Sequence, residues 1–72
     1  MTVTMRVHGI VRDHMQASTQ LDNVHTVGAA IERMGVPSSI GLAILVNGRL
    51  ADWRTPLHDG DVVQLVPQIS GG

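Results

Sequence analysis

One short helical segment, with strand-like segments before and after it, limits the fold more than any other feature of the sequence. Val27, Ile31 and Met34 recur at spacings of four and three, so they share one helical face. Thr26 precedes them as a helix-capping residue, and Gly35 supplies a left-handed turn that ends the helix. So short a helix is unstable alone. We therefore predict that it packs its apolar face on a sheet.

The segments before the helix have the alternating pattern of strands with one buried face. Val3, Met5 and Val7 alternate with polar residues, which predicts a first strand. A loop over residues 10–17 should separate it from a weaker alternation at residues 18–21, which predicts a second strand.

The segments after the helix predict a hairpin and a last strand. Residues 42–46 are apolar on both faces, as in a strand inside a sheet. Asn47 and Gly48 favour the positive φ angles of a two-residue hairpin turn, so residues 49–51 should return antiparallel. Residues 62–66 then alternate as the last strand.

A chain of 72 residues has room for one domain with a single small core. The alternation of the last strand turns Val63 and Leu65 toward that core. Trp53, which is the only aromatic residue, and Leu57 are predicted to close one end of it. The sequence has no cysteine, so the packing is not supported by disulfides.

Two strands, one helix and further strands in a chain of this length predict an α+β fold of the β-grasp type. In this arrangement a mixed sheet of four to five strands packs on one helix. We assign residues 1–66 to the β-grasp domain. Residues 67–72 are predicted to form a flexible, extended tail that ends in two glycines.

The side chains that carry most enzyme chemistry form no catalytic pattern. The four histidines, His8, His14, His25 and His58, are not spaced as two metal ligands on one helical face. The serines lack the strand-turn-helix setting of a nucleophile elbow, and no phosphate-binding glycine loop is found. We therefore expect no metal site, no bound cofactor and no catalysis by the chain itself.

Charge and composition exclude several classes of partner. A net charge of −1 gives no basic field for nucleic acid. No segment has the length of a membrane span or the layout of a signal peptide, so we expect a cytoplasmic protein without membrane contact. The sequence contains no lysine, which disfavours a modifier that forms polymers with itself.

The last residues of the chain have a specific chemical use. Gly71 and Gly72 have no side chains, so this end can enter a channel too narrow for a Cβ atom. From Pro67 onward, an extended segment reaches up to about 20 Å. That length is enough to place the terminal carboxylate inside another protein.

Nearly the whole chain resembles the ubiquitin-like sulfur carriers, and the C-terminal third is the most specific part of the likeness. These carriers are the small subunit of molybdopterin synthase and the sulfur carrier of thiamine biosynthesis. The likeness is carried by residues 46–50, 55–57, 59–63, Pro67 and 70–72. It implies that the first and last strands pair in parallel at the centre of the sheet.

The resemblance also implies that the carboxylate of Gly72 is the reactive group. A ubiquitin-activating-enzyme-like adenylyltransferase would use ATP to join Gly72 to AMP. A sulfurtransferase would then supply the sulfur of a C-terminal thiocarboxylate. Ser70 and Gly71 complete the tail that presents this group. The large subunit of molybdopterin synthase would be the partner that receives the sulfur.

A second predicted feature is a partner-binding surface on the sheet. The strand alternation turns Leu45, Gln64, Val66 and Gln68 away from the helix, and Ile69 follows them on the tail. Leu45 and Val66 match positions of the apolar recognition patch of ubiquitin. An exposed apolar patch often marks a partner site. The alternative is that other parts of the chain cover these residues.

Three alternatives to a molybdopterin carrier remain open. The loop at residues 9–13 and Pro67 favour the molybdopterin branch, whereas the short connection at residues 35–42 favours a thiamine carrier. Gly72 could instead form an isopeptide bond with lysines of target proteins. In the third alternative, the chain is a non-covalent binding module and its terminal glycines are incidental.

Overall fold

A computed structural model of the chain describes residues 1–8, 18–36 and 41–67. Its elements, in chain order, are β1 Thr2–Val7, β2 Ser18–Asp22, α1 Val27–Met34, β3 Leu42–Val46, β4 Arg49–Ala51 and β5 Val62–Pro67. Within the described residues, five strands form one mixed sheet in the order β2-β1-β5-β3-β4. The apolar face of α1 is buried against this sheet. The α+β, β-grasp prediction is therefore confirmed.

The first and last strands lie side by side at the centre of the sheet. β1 and β5 are parallel, with Met5 opposite Val63 and Val7 opposite Leu65. The remaining strand pairs are antiparallel. The parallel pair that the family resemblance implied is confirmed, and it joins both terminal strands in one core.

The helix begins and ends at the residues that the sequence indicated. The side chain of Thr26 accepts a hydrogen bond from the Ala29 N–H at 3.2 Å, as an N-cap does. Gly35 has a φ of 77° and donates its N–H to the Glu32 carbonyl at 3.1 Å. Within the described residues, no helix has the length and hydropathy needed to span a membrane.

One face of the sheet and the apolar face of α1 form the core. Alternate residues of β1 are buried, as the sequence pattern predicted. The core consists of Val3, Met5, Val7, Val24, Val27, Ala30, Ile31, Ile44, Leu57, Val63 and Leu65. Each large apolar side chain of this kind stabilises the fold by about 1.5–3 kcal/mol relative to an exposed one. Both terminal strands supply core residues, so the fold depends on their pairing.

The prediction that Trp53 closes one end of the core is wrong, whereas Leu57 does lie in the core. Trp53 is 49% exposed and Leu57 is 4% exposed. Gly28 N–H donates to the Trp53 carbonyl at 3.0 Å. Val27 N–H donates to the Thr55 carbonyl, also at 3.0 Å. These bonds hold the segment against the first turn of α1, so the indole ring packs beside Gly28 at the surface.

The hairpin between β3 and β4 turns at Asn47 and Gly48, whose φ angles are 52° and 82°. Both angles are positive, as the predicted two-residue turn requires. The predicted loop at residues 10–17 lies outside the described residues, as do residues 68–72 of the tail. The boundary between domain and tail stays a prediction, although β5 includes Pro67.

Candidate functional site

The sheet face that points away from α1, called the outer face below, carries part of the predicted partner surface. In β5, Val63 and Leu65 are buried in the core. Side chains alternate along a strand, so Val62, Gln64 and Val66 lie on the outer face, and all three are partly exposed. Two of the residues predicted to bind a partner, Gln64 and Val66, therefore reach the surface.

Pairing of β5 with β3 brings the described members of the predicted surface together. Gln64 lies opposite Leu45, and Val66 lies opposite Ala43. Leu45 is partly exposed, like Gln64 and Val66. Leu45 and Val66 are diagonal neighbours on the sheet, a relation in which side chains are about 7–8 Å apart. Both apolar side chains therefore lie beside Gln64 on the outer face.

Leu50 extends this surface, and the sequence reasoning missed it. It lies opposite Leu45 on β4, and it is 79% exposed. The signal was present in the sequence, because a two-residue turn at residues 47–48 pairs residue 46 with 49 and residue 45 with 50. We define the outer patch as Leu45, Leu50, Gln64 and Val66.

The outer patch meets polar residues on its β1 side. Arg6 lies opposite Gln64 and is exposed. Ser18 of β2 lies opposite Arg6. An apolar surface with a cation at its margin can bind a partner that combines apolar and acidic groups.

The C-terminal end of β5 lies beside the end of β1. His8 N–H donates to the Leu65 carbonyl at 3.1 Å. The Nε2 atom of His8 is buried and has no hydrogen-bond partner in the described part of the chain. Pro67, the last residue of β5, also lies at this end of the sheet. The predicted site residues Gln68, Ile69, Ser70, Gly71 and Gly72 lie outside the described residues, so their roles stay predictions.

At the opposite end of the sheet, Asp61 lies just before β5 and accepts hydrogen bonds from neighbouring turns. Its carboxylate accepts from the His58 N–H at 2.8 Å and from Asn47 Nδ2 at 2.9 Å. These bonds lower the pKa of Asp61, the one from the His58 N–H most, because both favour the charged form. The His58 imidazole lies 3.8 Å from the carboxylate, but its side chain is 78% exposed, so this pair adds little.

Among residues 1–8, 18–36 and 41–67, no group of three or more histidine, cysteine or acidic side chains is placed to hold a metal ion. The central parallel pair and the one helix of the described residues, packed on a mixed five-stranded sheet, define the class of small ubiquitin-like proteins with a β-grasp fold.

The chain belongs to the ThiS family, whose model matches residues 5–72. No curated protein matches the sequence. The complex of subunits 1 and 2 of molybdopterin-converting factor from Helicobacter pylori contains a chain that is 32% identical, with a TM-score of 0.69 and 100% of both chains covered. This chain is thus a member of a family of ubiquitin-like sulfur carriers and modifiers.

Two less similar structures share the fold. Urm1 from Trypanosoma brucei is 21% identical, with a TM-score of 0.74, and the match covers 99% of this chain and 95% of that one. Small archaeal modifier protein 1 from H. volcanii is 15% identical, with a TM-score of 0.75, and the match covers 94% of this chain and 98% of that one.

Proposed function

We propose that this chain is a sulfur carrier protein that is activated at Gly72 and delivers sulfur in molybdopterin biosynthesis, which makes the molybdenum or tungsten cofactor. The observation that carries this proposal is the family match over residues 5–72, which includes both terminal glycines. The 32% identity to a chain of molybdopterin-converting factor, over the full length of both, supports the molybdopterin branch.

Activation of Gly72 is the first proposed step. A carboxylate is stabilised by resonance, so one oxygen must become part of a leaving group before a nucleophile can attack the carbon. An oxygen of Gly72 attacks the α-phosphorus of ATP, pyrophosphate leaves, and an acyl adenylate forms. The adenylyltransferase partner binds ATP and stabilises the charge that develops on the phosphates. This chain supplies the acyl group and binds no cofactor.

Sulfur transfer to Gly72 is the second proposed step. A persulfide of the partner or of a sulfurtransferase attacks the acyl carbon, and AMP leaves. A thiol of a partner then attacks the donor sulfur of the resulting acyl disulfide. The thiol and the donor sulfur become joined in a disulfide, and the thiocarboxylate remains on Gly72. This chain has no cysteine, so the thiols belong to the partners. The thiocarboxylate sulfur is a nucleophile that can be passed to the cofactor precursor.

The outer patch is the surface that we assign to these partners. Leu50 and Leu45 present adjacent apolar side chains, and removing them from water on binding favours association. The H. pylori relative forms a complex with a second subunit, which supports a large-subunit partner here. The activating enzyme and the large subunit both need the C-terminal end, so they bind in turn. We place this chemistry in the cytoplasm, where ATP is available.

Two other functions within the family are supported by specific observations. The matched family is the ThiS family, and the short connection after α1 resembles the thiamine carrier, so thiamine biosynthesis is the second candidate destination. The fold shared with a small archaeal modifier protein makes conjugation of Gly72 to target lysines a further candidate. A non-covalent module would retain its activity after deletion of Gly71 and Gly72.

Intact-protein mass spectrometry of the chain purified from its own host tests the carrier function. We expect a species in which one oxygen of Gly72 is replaced by sulfur. Methionine oxidation changes the mass almost equally, so fragmentation must locate the change at the C terminus. If the carboxylate stays unmodified even with host extract, ATP and a sulfur donor, the carrier proposal is wrong.

Transfer assays separate the two destinations. The thiocarboxylated chain is mixed with a molybdopterin-synthase large subunit and its sulfur-free precursor, or with the thiazole-forming enzyme of thiamine biosynthesis. The molybdopterin proposal requires sulfur transfer in the first mixture. Transfer only in the second assigns the chain to the thiamine pathway, and adducts of Gly72 with protein lysines assign it to modification.

A further inference from the structure

A groove lies between the β3–β4 hairpin and residues 55–61, next to the edge strand β4. Its volume is about 480 Å³, and its walls include Val46, Arg49, Leu50, Ala51, His58 and Asp61. β4 pairs with β3 on one side and is the edge strand of the described sheet. A free edge presents backbone donors and acceptors to which another strand can pair. We call this site the β4 groove.

The hydrogen-bond pattern of the hairpin turns the backbone of Leu50 toward this free edge. Asn47 N–H donates to the Val62 carbonyl at 2.8 Å, so the backbone of Asn47 faces β5. Backbone groups alternate in direction along a strand, and Val46 therefore faces β4, where it pairs with Arg49. Leu50 follows Arg49, so its N–H and C=O point away from β3. None of the loop and turn hydrogen bonds in the described residues involves Leu50.

The charged groups at the β4 groove leave a cation available to a ligand. Arg49 lines the groove and is exposed, and it forms no ion pair within the described residues. The carboxylate of Asp61 already accepts hydrogen bonds from Asn47 and from the His58 backbone. Asp52, just after β4, accepts from the backbone of the following turn. An incoming segment thus meets a guanidinium that is free to pair with a carboxylate.

We propose that the β4 groove binds an extended, acidic segment of a partner protein, which adds to the sheet as a further strand beside Leu50. An apolar residue of that segment lies opposite Leu50 on the outer face. The residues next to it point to the other face, where an acidic side chain pairs with Arg49. Main-chain hydrogen bonds supply affinity in such complexes, and the alternating side chains supply specificity.

This site is separate from the end of the chain that carries the proposed sulfur chemistry. The groove lies near the start of β5 and Pro67 lies at its end, and a strand of this length spans roughly 20 Å. A segment bound at β4 therefore leaves the C-terminal residues free. A second copy of the chain fits the groove less well, because its own β4 would bring a second Arg49 to the same site.

A short peptide probes the site directly. The probe is a capped pentapeptide, threonine-glutamate-valine-glutamate-threonine, and the counter-probe has lysine in place of both glutamates. Two-dimensional amide NMR of the full chain records which backbone groups respond. We expect the acidic peptide to shift the amides of Arg49, Leu50 and Ala51 and to slow hydrogen exchange at Leu50. The basic peptide should leave these signals unchanged.

Two pairs of variants separate the backbone contribution from the charge. Arg49→Gln should weaken binding of the acidic peptide by about threefold, whereas Arg54→Gln, which changes an exposed arginine outside the groove, should not. Leu50→Pro removes the outward N–H without removing a bond to β3, and it should abolish binding. Leu50→Thr keeps that N–H and should retain most of the affinity for the acidic peptide. If Leu50→Pro unfolds the chain, the comparison of Arg49→Gln with Arg54→Gln still tests the proposal.

Several outcomes would overturn the proposal. Equal binding of the two peptides would show that charge does not select the ligand. Shifts confined to β2, or to Gln64 and Val66 of β5, would place the site elsewhere. Concentration-dependent shifts at Leu50 without any peptide would identify a second copy as the occupant.

Discussion

Asn47 binds Asp61 from the turn between β3 and β4, and so ties the hairpin to the start of β5. Its Nδ2 donates to Asp61 Oδ1 at 2.9 Å, while its Oδ1 accepts from the Val62 N–H at 3.0 Å. Its own N–H donates to the Val62 carbonyl at 2.8 Å. One turn residue thus extends the pairing of β3 with β5 by one position and satisfies backbone groups that the end of the ladder would leave unpaired.

Replacement of Asp61 by alanine should lower the free energy of unfolding at neutral pH by about 1–3 kcal/mol. The side chain is only 14% exposed, and its loss removes the acceptor for Asn47 Nδ2 and for the His58 N–H. The pKa of Asp61 is lowered in the folded state from its usual value of 3.8, so the folded state binds fewer protons than the unfolded state. Its contribution is therefore complete above about pH 5 and is lost as the pH falls through the lowered pKa.

Urea unfolding at a series of pH values checks this prediction. The difference in unfolding free energy between the wild type and Asp61→Ala should be constant near neutral pH and shrink in acid. Glu32→Ala is the control, because Glu32 is an exposed acid whose side chain forms no hydrogen bond in the described residues. A difference for Asp61→Ala that is unchanged from neutral pH into strong acid would contradict the proposed ionic role.

Gly28→Ala should destabilise the chain, although helix propensity alone predicts a gain of about 1 kcal/mol. A Cβ atom at this position would lie 3.1 Å from the Trp53 carbonyl oxygen and 3.2 Å from its Cε3 atom. That carbonyl is held by the bond from the Gly28 N–H at 3.0 Å, so it cannot move away without weakening this bond. We expect a net loss of about 1 kcal/mol.

Fluorescence measures this effect without added probes, because Trp53 is the only aromatic residue of the chain. Gly28→Ala should change its emission as well as the midpoint of urea unfolding. Repeating the substitution in a Trp53→Ala background removes the ring contact, so the cost should fall there. A stabilised Gly28→Ala variant with unchanged emission would show that the segment around Trp53 moves away from the new Cβ atom without cost.

Two leucines of opposite exposure test the assignment of the sheet faces. Leu65 is 0% exposed in the core, whereas Leu50 is 79% exposed on the outer face. Leu65→Ala should cost about 2–5 kcal/mol, because it leaves a cavity between β5 and α1. Leu50→Ala should change stability by less than about 0.5 kcal/mol. Chemical unfolding of both variants measures the contrast, and similar costs would mean that the faces are assigned wrongly.

The sequence predicted those parts of the fold that depend on residues close together in the chain. Thr26 and Gly35 were identified as the ends of α1, because a cap and a left-handed turn need particular side chains. Asn47 was identified as a turn residue for the same reason. The parallel pairing of β1 with β5 joins distant segments, and alternation alone does not say which strands meet. That pairing came from the family resemblance.

The errors in the sequence reasoning have physical causes. Hydrophobicity indicated a buried Trp53, but the close approach of its backbone to Gly28 leaves the ring on the outside of α1. Leu50 was overlooked as a surface residue, although the turn geometry placed it opposite Leu45. The outer patch could thus have been predicted completely, whereas the position of Trp53 depends on packing that the sequence pattern does not encode.

Charge placed in the outer patch should slow activation of the chain without unfolding it. Leu45→Glu puts a carboxylate among the apolar side chains of the patch, where partner contact would remove it from water. Gln20→Glu is the control, because Gln20 is exposed on β2 and lies on the same face as Thr4, outside the patch. For Leu45→Glu, we expect the rate of ATP-dependent adenylation by a cognate activating enzyme to fall at least tenfold, which corresponds to about 1.4 kcal/mol in activation free energy. The rate for Gln20→Glu should not change. Equal rates would exclude the patch as the docking surface.

Removal of Gly72 should separate function from stability. The core is formed by residues between Val3 and Leu65, so deletion of Gly72 should leave the midpoint of thermal unfolding almost unchanged. It should nevertheless abolish thiocarboxylate formation, because the new terminus is one residue short of the site where the activating enzyme holds the carboxylate. Gly72→Ala keeps the length and adds only a Cβ atom, so it tests whether the partner channel admits a side chain. A large fall in the unfolding midpoint of either variant would mean that the C-terminal residues pack on the domain. Full activity of Gly72→Ala would mean that the partner recognises the length of the chain and tolerates a side chain at its end.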